Sequence, residues 1–161
     1  MNPADVIKYG HLTVLKTLEN LPELQWEVGG VCGIWSVKDI MSHLASYEHM
    51  LEEVLAPFAN IEMDKPILKL IGEVGSQGFN DAAVAERRDW SPAQVRSDYE
   101  KTCTHIMQDI VPKIPAETWP KVGTLPWYGS EYSLDDFIAY TIYGHKREHT
   151  AQINVFKDTL K

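Results

Sequence analysis

Four long segments with apolar residues at helical spacing constrain this chain more than any other feature of its sequence. They cover about residues 3–21, 36–55, 91–111 and 133 nearly to the end, and in each the apolar positions recur every three or four residues. The best strand candidate, 67–71, is short and interrupted by a lysine. Helices that each bury one stripe, with no sheet to cover, pack against one another. The sequence therefore predicts an all-α four-helix bundle.

Serines mark the starts of three of these helices. Ser36 is followed three residues later by Asp39, the spacing of a capping box. Ser91 precedes a proline, which fits the first position of a helix. Ser133 is again followed by acids, and we expect it to cap the last helix.

The connection between the second and third long helices is the least regular part of the chain. Residues 58–78 contain Pro66 and several glycines, which favour loop. We predict a long connection over 57–91 with one or two extra short helices, a turn over 67–71 and a short helix from Asn80 to Arg88. In that interpretation Asn80 is a helix N-cap.

Composition narrows the function classes. A length of 161 residues suits one domain over 1–161. A net charge of −8, with only Arg87-Arg88 and Lys146-Arg147 as basic clusters, argues against nucleic acid as a partner. No window approaches the ~20 apolar residues of a membrane span, and the first residues do not read as a signal peptide. We expect a cytoplasmic protein without a membrane partner.

The six histidines divide by helical phase. His49 shares a face with serines and a glutamate, and His105 lies beside lysine and aspartate, so we expect both in solvent. The other four, His11, His43, His145 and His149, lie on apolar stripes. A buried imidazole without a partner costs free energy, so these four need an explanation.

A shared metal ion is one explanation for three of them. His145 and His149 are spaced i, i+4, which puts their Cβ atoms roughly 5–6 Å apart on one helix face. His43 faces inward from another helix, and metal sites in bundles are built from facing helices. Three imidazoles leave coordination positions open. Imidazole donors favour zinc or nickel here, with iron, manganese or copper left open.

Ordinary structural roles for these histidines are the alternative to metal binding. A single inward histidine often bonds a backbone carbonyl or a tyrosine, and H-x-x-x-H pairs are common by chance. His11 is expected in the core or around the ligands rather than as a fourth ligand. The stretch His145 to His149 also matches the H-x-x-E-H signature of inverted zinc peptidases. There Glu148 would be the base, but it points about 100° away from His149 on the helix, so that function is disfavoured.

Four further residues are candidates for a pocket around the histidines. Tyr47 lies one turn after His43, and Gln152 lies three residues after His149. Asn80 and Trp127 could wall the pocket if the loops fold over it. Three of them have an ordinary structural alternative: Asn80 as a helix cap, and Tyr47 and Trp127 as packing aromatics.

Two motifs resemble those of a known superfamily. The stretch from Gly33 to Leu44, with Trp35-Ser-Val-Lys-Asp followed by His43, and the late segment from Gly144 to Ile153 are similar to the DinB/YfiT-like superfamily. The segment 79–91 and the turn Leu125-Pro-Trp-Tyr resemble its ClbS/DfsB-like branch. This resemblance implies an up-down-down-up four-helix bundle, a metal site at His43, His145 and His149, and a homodimer.

The resemblance leaves the reaction open. Relatives include thiol-dependent transferases and isomerases, proteins induced by DNA damage, and a self-resistance hydrolase. Three hypotheses follow: a metal-dependent hydrolase or small-thiol transferase acting on a small molecule, a non-catalytic metal-stabilised binding or sequestering module, and a metal-free helical scaffold. Fold transfers between such relatives more safely than chemistry.

Overall fold

Local capping signals set most of the helix boundaries in the computed structural model, which describes residues 2–160. Helix α1 spans Pro3–Leu18, and the Asn2 side chain accepts hydrogen bonds from the first free backbone N–H groups. Helix α2 spans Val37–Leu55. Both bonds of the predicted capping box form, because Ser36 Oγ accepts from Asp39 N and Asp39 Oδ2 accepts from Ser36 N.

The third and fourth long helices also begin where the serines predict. Helix α4 spans Pro92–His105 and continues as a π-helical turn over Ile106–Ile110. The last long helix consists of α5 (Leu134–Phe137), a π-helical segment (Ile138–Tyr143) and α6 (Gly144–Asp158), here called together the C-terminal helix. Short 3₁₀ turns over Val111–Lys113 and Ala116–Thr118 interrupt the proline-rich crossing before it.

The connection before α4 differs from the prediction. After a 3₁₀ turn over Ala56–Ala59, it forms one 21-residue helix, α3 (Pro66–Glu86), kinked at Gly75 where φ is 70°. The expected short helix starting at Asn80 is wrong, since Asn80 lies inside α3. The carboxylate of Glu53 on α2 accepts hydrogen bonds from the backbone N–H groups of Ile67 and Leu68, at 2.9 and 2.8 Å. The start of α3 thus depends on a residue outside the connection, which local sequence could not reveal.

Helix packing pairs α1 with the C-terminal helix and places α2 against α3 and α4. Within the described part of the chain, the only extended pairing is one isolated bridge between Cys32 and Trp35. The all-α fold predicted from the sequence is confirmed. Across residues 2–160, no helix combines the length and apolarity needed to cross a membrane.

The buried apolar residues form two clusters along the bundle. One includes Ile7, Leu51 and Ile142, and the other includes Val14, Leu44 and Ile153. On α1, α2 and the C-terminal helix, the chain passes from one cluster to the other through polar residues: the buried His11, Glu48, Lys146 and His149, and the half-buried His145. A polar layer therefore separates the two apolar cores.

Candidate metal centre

The structure brings His43, His145 and His149 together. Their candidate ligand atoms all lie within 4.8 Å of one another. The Nε2 atom of His145 is 2.8 Å from Nε2 of His43 and 3.0 Å from Nε2 of His149. His43 and His149 are buried and His145 is half-buried. Three imidazoles from two helices thus point one nitrogen each at a common centre.

Burial keeps these rings neutral. Desolvation, followed by the charges of the neighbouring histidines, lowers the pKa of His43 to about 3. Desolvation, then the charges of His149 and Lys146, lowers the pKa of His145 to about 3. Burial also lowers the pKa of His149. Neutral imidazole is the form that binds a metal.

Gln152 sets the tautomer of His149. Its Oε1 atom lies 2.8 Å from Nδ1 of His149, and because an amide oxygen only accepts, Nδ1 must carry the proton. The lone pair of neutral His149 is then on Nε2, the atom that faces His145. Metal-binding histidines are commonly oriented by such an acceptor behind the ring.

The three rings do not satisfy one another by hydrogen bonding. Each ring nitrogen of neutral imidazole has either one proton or one lone pair. Nε2 of His145 has two nitrogen neighbours, so it can make one good hydrogen bond and leaves the other contact unpaired. A cation that accepts a lone pair from each ring removes this conflict. The donor set therefore fits a metal cation bound by imidazole nitrogens.

Two aromatic rings pack against His43. The Tyr47 ring centroid is 4.7 Å from that of His43 and 4.3 Å from that of His145. The Trp35 centroid is 5.0 Å from His43 and 6.5 Å from His149. Burial raises the pKa of Tyr47, so its hydroxyl stays protonated. Sequence reasoning assigned no role to Trp35, although it lies in the motif before α2.

Trp35 is positioned by a tight loop. The carbonyl oxygen of Trp35 accepts a hydrogen bond from the backbone N–H of Val31 at 2.8 Å, and its own N–H donates to Cys32 at 2.9 Å. Helix α2 begins two residues later at Val37. Helical periodicity says nothing about such a loop, so only the motif could have drawn attention to this residue.

The other three predicted pocket residues have different surroundings. Trp127 is 60% exposed, and its ring contacts are with Tyr128 and Phe137. His11 is buried against Tyr99, with ring centroids 5.4 Å apart, and is not part of the three-histidine cluster. Asn80 is half-buried within α3, and its Oδ1 atom has no hydrogen-bond partner among residues 2–160. Glu148 is exposed, which agrees with the prediction that it is not a buried base.

One histidine prediction is wrong. His49 was expected in solvent with Ser42, Ser46 and Glu53, but those three are at most 3% exposed. Its side chain is 32% exposed and its Nε2 atom is 3.0 Å from Oδ1 of Asp98. Helix α2 is packed on several sides, so its polar residues are buried with partners. His105 is exposed, as predicted, and contacts Glu52.

Comparison with known proteins identifies the family. A family model described as the mycothiol maleylpyruvate isomerase N-terminal domain matches residues 11–141. That range includes His43, while His145 and His149 lie just after it. No curated protein and no solved structure matches the chain. The chain belongs to the mycothiol maleylpyruvate isomerase N-terminal domain family, within the DinB/YfiT-like superfamily.

Proposed function

We propose that His43, His145 and His149 hold one divalent cation, and that the protein uses it in a reaction of a small molecule. The observation that carries this proposal is the convergence of three Nε2 atoms, with His145 2.8 and 3.0 Å from the other two. Zinc or nickel suits three imidazoles best; iron, manganese and copper are also compatible.

Two reaction classes are supported by different relatives. The family name contains a thiol, mycothiol, and so favours a thiol-dependent transferase or isomerase. The similarity of residues 79–91 and 125–128 to the ClbS/DfsB-like branch favours a hydrolase. A bound cation would supply the same chemistry to both, by lowering the pKa of a thiol or of water. We place thiol-dependent transfer first, because the family match covers most of the chain.

The protein groups around the centre would orient and enclose the reactants. Gln152 keeps Nδ1 of His149 protonated and the ring fixed. Tyr47 and Trp35 both pack against His43, which is 3% exposed. The Tyr47 hydroxyl, held protonated by burial, is a hydrogen-bond donor for a developing negative charge on the substrate.

Metal analysis tests the centre. Protein purified without a nickel column should contain about one equivalent of metal, whereas His145→Ala should contain almost none. His105→Ala is the matched control, because His105 is 48% exposed at its side chain and lies outside the cluster. Less than roughly a tenth of an equivalent in the wild type, after incubation with zinc or nickel, would rule out the metal function.

Activity assays separate the reaction classes. Conjugation of small thiols to electrophiles and hydrolysis of small esters and amides would be followed with wild type, His145→Ala and His105→Ala. We expect metal-dependent turnover in wild type and His105→Ala only. Equal rates in wild type and His145→Ala would remove the catalytic function for that reaction and leave a metal-holding module.

The proposal also covers domain organisation, oligomeric state and partners. We propose one domain over residues 1–161, a homodimer in solution, and no nucleic-acid partner, given a net charge of −8. Light scattering that gives a monomer mass at micromolar concentration would contradict the dimer.

A further inference from the structure

A buried ion pair lies in the polar layer between the two apolar cores. Nζ of Lys146 is 2.7 Å from Oε1 of Glu48, and the side chains are 2% and 1% exposed. The contact is an ion pair rather than an aligned hydrogen bond. Lys146 directly follows the candidate ligand His145, and Glu48 lies five residues after His43. The pair thus links the two helices that supply the candidate ligands.

Neighbouring groups hold both charges in place. The other carboxylate oxygen of Glu48, Oε2, accepts a hydrogen bond from the buried thiol of Cys103 at 3.1 Å. The Lys146 ammonium lies 5.6 Å from the centroid of the Tyr99 ring. A Cβ atom on Gly10 would lie 3.4 Å from Cδ of Lys146. Helix α1 therefore contacts the stem of this lysine through a residue without a side chain.

Stability alone is a weak reason for such a pair. Removing two charges from water is costly, and their attraction in the interior offsets that cost only when geometry is good and further hydrogen bonds form. Apolar residues of similar volume often stabilise as well or better. A buried pair specifies instead one arrangement of the elements that it joins, since any other arrangement leaves a charge unpaired.

The packing of the helices explains why α2 and the C-terminal helix would need such a link. The main neighbours of α2 are α3 and α4, and the main neighbour of the C-terminal helix is α1. Helix α2 and α6 meet over only a short stretch, which includes the histidine cluster and the Glu48–Lys146 pair. Glu48 lies about 7.5 Å along α2 from His43, at 1.5 Å rise per residue. Two links at different heights restrict both sliding and rotation of one helix against the other.

We propose that Glu48 and Lys146 are positioning residues that fix the C-terminal helix against α2, so that His145 and His149 face His43 before any metal binds. This inference rests on the proposed function for its consequence, because the arrangement it fixes is the metal centre. Neither residue touches the cation or the substrate. Their effect is on how well the three imidazoles are preorganised.

The test compares Lys146→Met, Glu48→Gln and the double variant with a matched control, Arg87→Met. Arg87 is also a buried cation, paired with Asp98 at 2.9 Å and bonded to Ser46, but its partners lie on α2, α3 and α4. The double variant carries no unpaired buried charge, so it is expected to fold even where a single variant does not. Circular dichroism and thermal unfolding establish that each protein is folded.

Three readouts separate positioning from simple stabilisation. Zinc affinity comes from competition with a chromophoric chelator, and ligand geometry from the absorption spectrum of the cobalt-loaded protein. In metal-free protein, the nuclear Overhauser effect (NOE) between the His43 and His145 rings reports their separation, 4.7 Å between centroids. We expect at least about tenfold weaker zinc binding, an altered cobalt spectrum and a weaker NOE in the pair variants. Arg87→Met should lose stability and keep all three signals.

The outcomes are distinguishable. A folded double variant with the zinc affinity, cobalt spectrum and NOE of wild type overturns the positioning role. If wild type binds no metal, the proposed function fails, and the NOE still decides the pair: its loss in the double variant supports positioning and its persistence overturns it. If the single and double variants weaken zinc binding equally, the two residues act as one unit.

Discussion

The charge on His49 should make the protein more stable at neutral than at alkaline pH. Nε2 of His49 lies 3.0 Å from Asp98, and Nδ1 lies 3.7 Å from Glu52. The hydrogen bond to Asp98, followed by the ion pair with Glu52, raises the pKa of His49 from 6.5 to about 9, against the opposing effect of burial. The folded protein therefore binds this proton more tightly than the unfolded chain does.

The size of the effect follows from the two pKa values. A tenfold change in proton affinity is worth about 1.36 kcal/mol, so a rise from 6.5 to about 9 sets an upper limit of about 3.4 kcal/mol. The side chain is 32% exposed, and solvent screening reduces the value to about 1–2 kcal/mol. Because the folded-state pKa is the higher one, this stability is fully present below pH 6.5 and is lost as the pH rises through about 9.

Urea unfolding of metal-free protein at about pH 6, 8 and 10 measures the effect. Other groups also titrate over this range, so the informative quantity is the difference between wild type and His49→Gln. We expect that difference in the free energy of unfolding to shrink by about 1–2 kcal/mol between the lowest and highest pH. An NMR titration of the imidazole gives the pKa directly.

Two results would refute this reasoning. If the unfolding free energies of wild type and His49→Gln follow parallel pH curves, the ion pairs at His49 contribute nothing to the pH dependence of stability. An imidazole midpoint near 6.5 would show that Asp98 and Glu52 do not hold the proton in solution.

Three further predictions concern single contacts. Gln152→Leu removes the acceptor for Nδ1 of His149 and should weaken metal binding about 10–100-fold. Gln152→Glu keeps an acceptor and should bind the metal at least as tightly as wild type does. Chelator competition measures both affinities. Gly10→Val puts a side chain where a Cβ would already lie 3.2 Å from Tyr143, and should lower the free energy of unfolding by about 1–3 kcal/mol. An unchanged urea midpoint would show that α1 and the C-terminal helix move apart without loss of stability. Glu53→Gln replaces the carboxylate that accepts hydrogen bonds from the first N–H groups of α3. It should lower the free energy of unfolding by about 1–2 kcal/mol and speed hydrogen exchange at Ile67 and Leu68. Unchanged exchange at these residues would contradict the role of Glu53 as a cap.

Helix starts were predictable where the cap is local. Ser36, Ser91 and Ser133 each accept a bond from the backbone three residues later, so a short window of sequence contains the whole signal. The start of α3 has no side-chain cap of its own and uses Glu53. A proline followed by glycines then resembles a loop, and the sequence gives no reason to prefer a helix.

The geometry of the histidine pair was predictable for a related reason. His145 and His149 both lie in α6, after the π-helical segment has ended. Their i, i+4 relation is therefore that of a regular α-helix. That His43 meets them depends on how two helices pack, and neither periodicity nor composition contains that information. The motif resemblance supplied it.

The buried charges escaped prediction because the rule used to place them fails on a central helix. A charged residue marks the solvent side of a helix that has one apolar stripe, but 14 of the 19 residues of α2 are buried. Glu48 therefore has no solvent side to face. The same holds for one residue of each basic cluster, since Arg87 is 2% and Lys146 is 1% exposed, whereas Arg88 and Arg147 are exposed. What looked like surface charge is internal charge with a distant partner, and a partner of that kind is visible only in three dimensions. Burial nevertheless leaves the surface charge close to the net charge of −8. Among residues 2–160, the two buried cations, Lys146 and Arg87, are matched by two buried carboxylates, Glu48 and Glu53.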